Sequence, residues 1–320
     1  MKYLFRNRKK IVVCAALLFL AMNIVAFFHA YKFTHFTANN TSKTKSPEKL
    51  STIEKIKTLI FGVNNPKPKN LKYPSQKYQV LKLKSNKEIE CWVIDNENSK
   101  GTIILFHGYG AEKSSMLDKS DEFINMGYST VLVDFMGSGN SEGNQTTIGY
   151  KEAEEVKTVF DQIAKSGEQN IYLYGTSMGS VAIMKCISDH KINPKGIIIE
   201  CPFGTMYQTV CARFDKMNAP TFPMAGILVF WGGIQNGFWG FGHNPNEYSK
   251  KINCPTLLLY GEEDKSVSRK EIDDIYKKLN GIKFLKVYKK TGHENYLNKN
   301  KIEWIKDTFE FLKSTEDLKN

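Results

Sequence analysis

The stretch Ile171-Tyr-Leu-Tyr-Gly175-Thr-Ser177-Met-Gly179 decides the fold. A short apolar run ends here in a Gly-x-Ser-x-Gly pentapeptide, and small and apolar residues at helical spacing follow it. This pattern predicts a strand, a sharp turn with a serine at its tip, and a helix, because the two glycines let strand and helix approach closely enough for a strained serine backbone. Ser177 is therefore a candidate nucleophile, and a tight turn with a surface serine is the alternative.

Strand and helix patterns alternate on both sides of this turn. Such alternation implies a mostly parallel sheet with helices on both faces, here with eight strands. Two of the predicted helices cover about 146–165 and 299–312. Besides the strand before Ser177, the predicted strands are 78–84, 88–94, 101–106, 129–133, 196–200, 255–260 and 283–288.

Residues 202–250 interrupt the alternation. They are rich in Phe, Trp, Met, Gly and Pro and show no clear period. A run of this length between sheet elements is usually functional. The sequence therefore predicts an apolar lid over the functional site.

The N-terminal segment has the composition of a membrane anchor. The formal net charge of the chain is +12, and five of its basic residues lie within the first ten positions. Residues 11–28 are almost entirely apolar, a length at the lower edge for spanning a bilayer. A cleaved signal peptide is the alternative, but Phe28 stands where a cleavage site needs a small residue.

We therefore expect an uncleaved signal anchor in a single-pass membrane protein. The positive-inside rule then places the catalytic domain on the extracytoplasmic side. The amphipathic pattern at residues 50–63 either packs on the domain or lies on the membrane. The predicted organisation is a cytoplasmic basic segment 1–10, a transmembrane anchor 11–30, a tether with an amphipathic helix 31–70, and an α/β domain 71–318 with its lid at about 202–250.

Composition argues against several other classes of protein. There is no Arg-rich block with interleaved aromatics, so no nucleic-acid partner is expected. None of the six histidines has metal-binding spacing to another His or Cys, so no metal is expected, and no motif for a cofactor is present. The six cysteines do not form a disulfide framework.

Three further motifs contain candidate catalytic groups that could act together with Ser177. They are Gly-Glu-Glu-Asp264, Thr-Gly-His293 and His-Gly-Tyr109-Gly, each just past the carboxyl end of a predicted strand, where catalytic groups of open α/β sheets gather. A serine hydroxyl needs a base, which His293 would supply, and an acid such as Asp264 would orient that base. The backbone N–H groups of Tyr109 and Met178 would stabilise an oxyanion. The chain order of serine, acid and histidine is that of a known triad arrangement.

Other polar residues near these motifs have alternative roles. Glu200, at the end of the preceding strand, is the rival of Asp264 as the triad acid. Asp134 is expected to organise its Gly-rich loop rather than to catalyse. His107 and His243 are expected to be structural.

These motifs resemble the α/β-hydrolase superfamily over about residues 71–316. The loop from Asp134 to Gly143 is similar to that of membrane-anchored, esterase- or acylthioesterase-like hydrolases related to Bem46, which often carry Arg where Met136 stands here. The resemblance implies a serine hydrolase that cleaves an ester or thioester of an acyl group through an acyl-serine intermediate. The alternatives are a serine peptidase, for which no acidic site for a peptide amino terminus is evident, and a non-catalytic binding module. The substrate-binding residues stay unknown at this point.

Overall fold

The computed structural model describes residues 2–38 and 42–316, with side chains described from residue 8 onward. Eight strands form one sheet in the order β1-β2-β4-β3-β5-β6-β7-β8. The strands are β1 (Gln79–Lys84), β2 (Glu88–Ile94), β3 (Thr102–Phe106), β4 (Ser129–Val133), β5 (Ile171–Thr176), β6 (Gly196–Glu200), β7 (Thr256–Gly261) and β8 (Lys283–Tyr288).

Only the β1–β2 and β2–β4 pairs are antiparallel, and all other pairs in the sheet are parallel. The prediction of an eight-stranded, mostly parallel sheet is confirmed. Because parallel strands point the same way, the residues that follow β3, β5, β6, β7 and β8 meet at one edge of the sheet. We call this the carboxyl edge.

Helices pack on both faces of the sheet. Ile104 and Phe106 of β3 face a core layer formed with α4 (Glu152–Lys165), α5 (Met178–His190) and α9 (Arg269–Lys278). Ile103 and Leu105 face a second layer formed with α3 (Leu117–Asn125) and α11 (Lys301–Glu316). This burial on both faces explains why the strand is a continuous apolar run. The helices are α1 (Lys2–Thr34), α2 (Thr52–Phe61), α3 (Leu117–Asn125), α4 (Glu152–Lys165), α5 (Met178–His190), α6 (Met206–Met217), α7 (Met224–Asn236), α8 (Pro245–Tyr248), α9 (Arg269–Lys278), α10 (Tyr296–Lys299) and α11 (Lys301–Glu316).

Two predicted helix boundaries were wrong. The helix expected from about residue 146 begins at Glu152. The buried Glu152 carboxylate instead accepts hydrogen bonds from the Thr146 hydroxyl (2.7 Å) and the Thr147 N–H (2.9 Å), which holds residues 146–149 in a turn. The helix expected over 299–312 is split, because Asn300 leaves helical geometry with φ −131°, and the following helix runs from Lys301 to Glu316.

The region predicted as a lid folds into helices α6, α7 and α8. Helix α7 packs along α1. The Trp231 indole N–H donates to Asn23 Oδ1 (3.1 Å), and the Gln235 amide donates to the Phe27 carbonyl (2.8 Å). We call the last turns of α1, residues 42–50, α2, α6 and α7 together the cover.

Helix α1 is long and apolar enough to cross a membrane. Its segment Arg8–Thr34 has 27 residues. An 18-residue window of this segment has a mean hydropathy of 2.8, and 6% of that window is buried against the rest of the chain. The helix therefore presents an apolar surface for most of its length.

Candidate active site

The turn after β5 has the strained geometry that the sequence predicts. Ser177 has φ 51° and ψ −108°, a conformation that side-chain-bearing residues rarely adopt. A Cβ on Gly175 would lie 2.5 Å from the Ser180 nitrogen, and a Cβ on Gly179 would lie 2.3 Å from the Phe106 carbonyl oxygen. Only glycine fits at both positions, so the sequence locks strand β5 and helix α5 close together beneath the serine.

The structure brings Ser177, His293 and Asp264 together. His293 Nε2 lies 3.2 Å from Ser177 Oγ, and His293 Nδ1 lies 2.7 Å from Asp264 Oδ2. With the Asp264 carboxylate ionised, Nδ1 of His293 carries the proton and its N–H group donates a hydrogen bond to Asp264. Nε2 is then the acceptor that faces the serine hydroxyl.

The turn after β7 fixes Asp264 itself. Its side chain is fully buried, and Oδ1 accepts hydrogen bonds from the backbone N–H groups of Ser266 (2.6 Å) and Val267 (3.0 Å). One carboxylate oxygen is therefore held by the turn, and the other is left for His293. This arrangement orients the imidazole ring.

Glu200, the rival acid, is engaged elsewhere. Its two carboxylate oxygens accept hydrogen bonds from the Trp304 indole N–H (2.8 Å) and the Thr176 hydroxyl (3.2 Å). Among the described residues it makes no hydrogen bond to His293. Glu200 thus ties β6 to α11 and to the end of β5.

Charges around His293 favour its protonated form. Burial opposes the imidazolium, but the adjacent Cys201 and Asp264 outweigh burial and raise the pKa of His293 well above its ordinary value of 6.5. The Asp264 carboxylate acts directly through the 2.7 Å hydrogen bond. His293 is therefore a base whose neutral form is favoured by alkaline pH.

The two backbone donors expected to stabilise an oxyanion flank Ser177. Met178 is the first residue of α5, where a helical N–H has no partner within the helix. A Cβ on Gly108 would lie 3.8 Å from the Ser177 Cβ, so the loop that carries Tyr109 also runs past the serine. Within the described residues, neither the Tyr109 nor the Met178 N–H donates to a protein acceptor.

The C-terminal end of α1 holds Tyr109 in place. The rings of Tyr109 and Phe33 stack with centroids 4.6 Å apart, and the Tyr109 hydroxyl donates to the Phe33 carbonyl (2.7 Å). The same hydroxyl accepts a hydrogen bond from the Asn65 amide (2.7 Å). Helix α1 and the segment that follows it therefore both contact Tyr109, a residue of the candidate site.

Asp134 organises the loop after β4, as the sequence predicts. It is fully buried, ion-paired with Lys113, and accepts hydrogen bonds from the backbone N–H groups of Lys113 (2.7 Å) and Asn140 (3.0 Å). His107 Nε2 accepts a hydrogen bond from the Phe135 N–H (3.2 Å). These bonds join the loop after β4 to the segment that carries Tyr109.

His243 is likewise a structural residue of the lid region. It is fully buried and bonded to the Tyr248 hydroxyl (3.1 Å) and the Ile148 carbonyl (3.0 Å). Burial lowers the pKa of His243 to about 4, so the ring stays neutral at physiological pH.

Ser177 and His293 open into a cavity of about 870 Å³. This volume is within the range that accommodates a small organic molecule or a single lipid chain. Apolar side chains of α6 and α7 form part of its wall, including Met206, Val210 and Val229. Residues 29–34 of α1 and 43–50 of the tether complete the wall.

Sequence reasoning missed two parts of this site. Cys201, directly after β6, is buried and places its sulfur within 4.8 Å of ligand atoms of Asp264 and His293. Its position at the carboxyl end of a strand was the available signal. The contribution of α1 to the cavity wall left no local signal, because Phe33 lies in the stretch 31–70 that the sequence predicts as a tether, whereas the helix continues to Thr34.

The sheet and the residues at its carboxyl edge define an α/β-hydrolase. Residues 97–228 match the family model described as serine aminopeptidase, S33. The protein YqkD of Bacillus subtilis (strain 168) is 23% identical over 234 residues, which are 72% of this chain and 77% of that protein. The chain thus has the α/β-hydrolase fold and is similar in sequence to hydrolases.

Two further similarities are to a longer relative and to a solved structure. The mouse lysophosphatidylserine lipase ABHD12 is 26% identical over 188 residues, 55% of this chain but only 44% of the lipase. The esterase Pf2001 of Pyrococcus furiosus superposes with a TM-score of 0.65 at 22% identity, covering 79% of this chain and 99% of the esterase. This structural likeness shows the shared fold.

Proposed function

We propose that this protein is a serine esterase that hydrolyses an acyl ester or thioester through an acyl-Ser177 intermediate. The observation that carries the proposal is the continuous hydrogen-bonded chain Ser177–His293–Asp264 at the mouth of the cavity. No feature of a binding module requires a strained serine aligned with a histidine and a buried carboxylate.

The reaction follows from this geometry. His293 accepts the Ser177 proton while Oγ attacks the substrate carbonyl carbon, and the N–H groups of Tyr109 and Met178 stabilise the oxyanion. Collapse of the tetrahedral intermediate expels the alcohol or thiol, which takes the proton from His293. Water then gives a proton to His293 and attacks the acyl group, and the carboxylic acid leaves as the proton returns to Ser177.

The cavity favours a substrate with one acyl chain. Its wall is mainly apolar, and part of it comes from the end of the membrane helix. Relatives named as lysophosphatidylserine lipases and a structural neighbour named as an esterase agree with a lipid-like acyl substrate. We therefore place single-chain lipid esters ahead of short soluble esters.

A second candidate is an aminopeptidase of the same fold. The matched family model carries that description, and Glu263 and Glu294 both line the cavity near His293. A carboxylate there would bind a peptide amino group. Aminoacyl p-nitroanilides compared with p-nitrophenyl esters would separate the two candidates.

The deciding experiment uses the full chain in lipid nanodiscs with p-nitrophenyl esters from acetate to palmitate. We expect turnover that peaks at one chain length, and a loss of about 10⁴- to 10⁶-fold in kcat in Ser177→Ala with an unchanged melting temperature. A fluorophosphonate probe should label Ser177 stoichiometrically. Turnover retained in Ser177→Ala would refute the mechanism, and absence of labelling would favour the binding-module alternative.

We also propose that α1 crosses the membrane with its basic N-terminus in the cytoplasm and the catalytic domain outside. The length and hydropathy of α1 support this arrangement, and α7 exposes Ile234 (52%) beside it. The test labels intact cells with a membrane-impermeant maleimide. Lys313→Cys, at an exposed position of α11, should react without permeabilisation. Lys10→Cys should react only after permeabilisation. The reverse pattern would show the opposite topology.

A further inference from the structure

One wall of the cavity carries a cation with no acceptor of its own. Arg213 on α6 lines the cavity and presents its guanidinium 4.0 Å from the ring centre of Phe33 and 5.9 Å from that of Tyr109. Among the described residues it has no carboxylate within ion-pair distance and no hydrogen-bond acceptor. Burial lowers the pKa of Arg213, yet an arginine stays charged.

A second cation lies on the same wall. Lys43 of the tether lines the cavity, and its Nζ donates to the Gly110 carbonyl (2.9 Å), one residue after Tyr109. Lost hydration lowers the pKa of Lys43, Glu112 acts in the opposite direction, and the charge of Arg213 lowers it further. Lys43 thus contacts Gly110 while Arg213 lies 5.9 Å from the ring centre of Tyr109, so both cations face the same segment of the cavity wall.

The carboxylates nearest to this pair are already engaged. Glu48 forms an ion pair with Lys216 (3.1 Å), and Glu112 accepts a hydrogen bond from the Ser114 hydroxyl (2.9 Å). Burial raises the pKa of Glu112, which weakens its charge as a partner. Arg213 and Lys43 thus form a cationic pair that an external anion would stabilise.

We propose that Arg213 and Lys43 bind the phosphate group of an anionic lipid headgroup while the acyl carbonyl of the same molecule lies at Ser177. This inference rests on the proposed esterase function and names its substrate class: single-chain acyl esters of a phosphorylated alcohol. An arginine fork binds two phosphate oxygens at once, and a lysine adds a point charge. Phosphate has enough oxygens to accept from both, which an isolated neutral ester lacks.

The position of the pair suits a lipid that enters from the bilayer. Arg213 stacks on Phe33, in the last turns of the membrane helix, where lipid headgroups begin. Lys43 bonds to the residue after Tyr109, so a short linker such as glycerol would join a phosphate held there to a carbonyl at Ser177. The apolar wall under α7 is left for the acyl chain.

The experiment compares two substrates with the same oleoyl ester, 1-oleoyl-lysophosphatidylglycerol and 1-oleoylglycerol, with the full chain in nanodiscs. We expect the ratio of their kcat/KM values to favour the phosphorylated lipid, and Arg213→Gln to reduce that ratio by about 10- to 100-fold, as for a lost charge-assisted contact. Arg213→Lys should retain part of the preference. Arg269→Gln, a surface arginine paired with Asp273 (2.8 Å), should leave the ratio unchanged.

A binding measurement makes the outcome independent of turnover. The Ser177→Ala variant should bind the phosphorylated lipid about 10- to 100-fold more tightly than the double variant that also carries Arg213→Gln. Both variants should have the same melting temperature. Equal affinities, or a wild-type protein without preference for the phosphorylated lipid, would overturn the headgroup site.

The same experiment separates this proposal from the esterase function and from a free anion. Hydrolysis of oleoylglycerol without preference would leave the esterase intact and refute only the headgroup site. Saturable inhibition by inorganic phosphate, without preference for the phosphorylated lipid, would assign Arg213 and Lys43 to free phosphate and overturn the lipid role. Failure of all esters, with headgroup-dependent binding retained, would refute the esterase instead.

Discussion

The carboxyl edge of the sheet and the cover line one cavity but are built in different ways. At the edge, Gly175 and Gly179 have no room for a methyl group, and Asp264 is fixed by two backbone donors. In the cover, helix α7 contains no Asp, Glu, Lys or Arg, and a Cβ on Gly226 would meet nothing within 4 Å. The comparison shows that the candidate reacting groups stand on tightly packed backbone throughout, while α7 combines open space at Gly226 with close packing at Gly233, where a Cβ would lie 2.5 Å from the Gly240 nitrogen.

The first prediction contrasts two acids at the edge. Asp264→Asn should reduce kcat by about 10⁴-fold, because the amide favours the wrong imidazole tautomer. Glu200→Gln should reduce stability through its bonds to Trp304 and Thr176 and leave most of kcat. Ester kinetics with melting temperatures measure both, and the opposite ranking would make Glu200 the triad acid.

The second prediction concerns pH. His293 acts as a base only when neutral, and its pKa is raised above 6.5, so kcat/KM should rise with pH to a midpoint above 6.5 and fall about tenfold per unit below it. Asp264→Asn should move the midpoint to lower pH, because the variant removes the negative charge that stabilises the imidazolium.

Cys201→Ala serves as the matched variant for the pH profile. A neutral thiol contributes little to the pKa of His293, whereas a thiolate raises it. An unchanged midpoint in Cys201→Ala would assign the raised pKa to Asp264 alone. A midpoint that Asp264→Asn does not lower would contradict the prediction.

The third prediction compares glycines of the two regions. Gly179→Ala places a methyl group against the Phe106 carbonyl and should cost about 3 kcal/mol, a fall of about 5–10 °C in melting temperature. Gly226→Ala, in helix α7 with open space around it, should gain about 0.5–1 kcal/mol from helix propensity. Thermal unfolding in detergent tests the pair, and equal shifts would show that the cover is as tightly packed as the edge.

The fourth prediction tests the cover as a cavity wall. Ala30 on α1 lines the cavity, so Ala30→Leu should shorten the preferred acyl chain and lower kcat/KM for long esters about 10-fold, equivalent to about two methylene groups. Leu20→Phe, at an exposed position of the same helix, is the control. An unchanged chain-length profile in Ala30→Leu would exclude α1 from the substrate pocket.

The sequence predicted the edge far better than the cover. Ser177 and the strand, turn and helix around it follow from a motif whose backbone strain requires glycines at fixed places, and the eight-stranded sheet follows from alternating apolar runs. The packing of α7 on α1 depends on a contact between Trp231 and Asn23, which are far apart in the chain, and no local period records such a contact. Residues 31–49 are polar and suggest a loose tether, but Lys43 bonds to Gly110 and lines the cavity.

The stack of Phe33 on Tyr109 links the candidate site to α1, so a cut between the two would affect activity. A protease that cut the chain at residues 42–46 would sever the domain from the helix that supplies a wall of its cavity and steadies Tyr109. The fragment shed into the surroundings would keep Ser177, His293 and Asp264 but lose the support of that wall once α1 stayed behind. If α1 lies in a membrane as we propose, the intact protein would act only there, and shedding would switch it off rather than release an active enzyme.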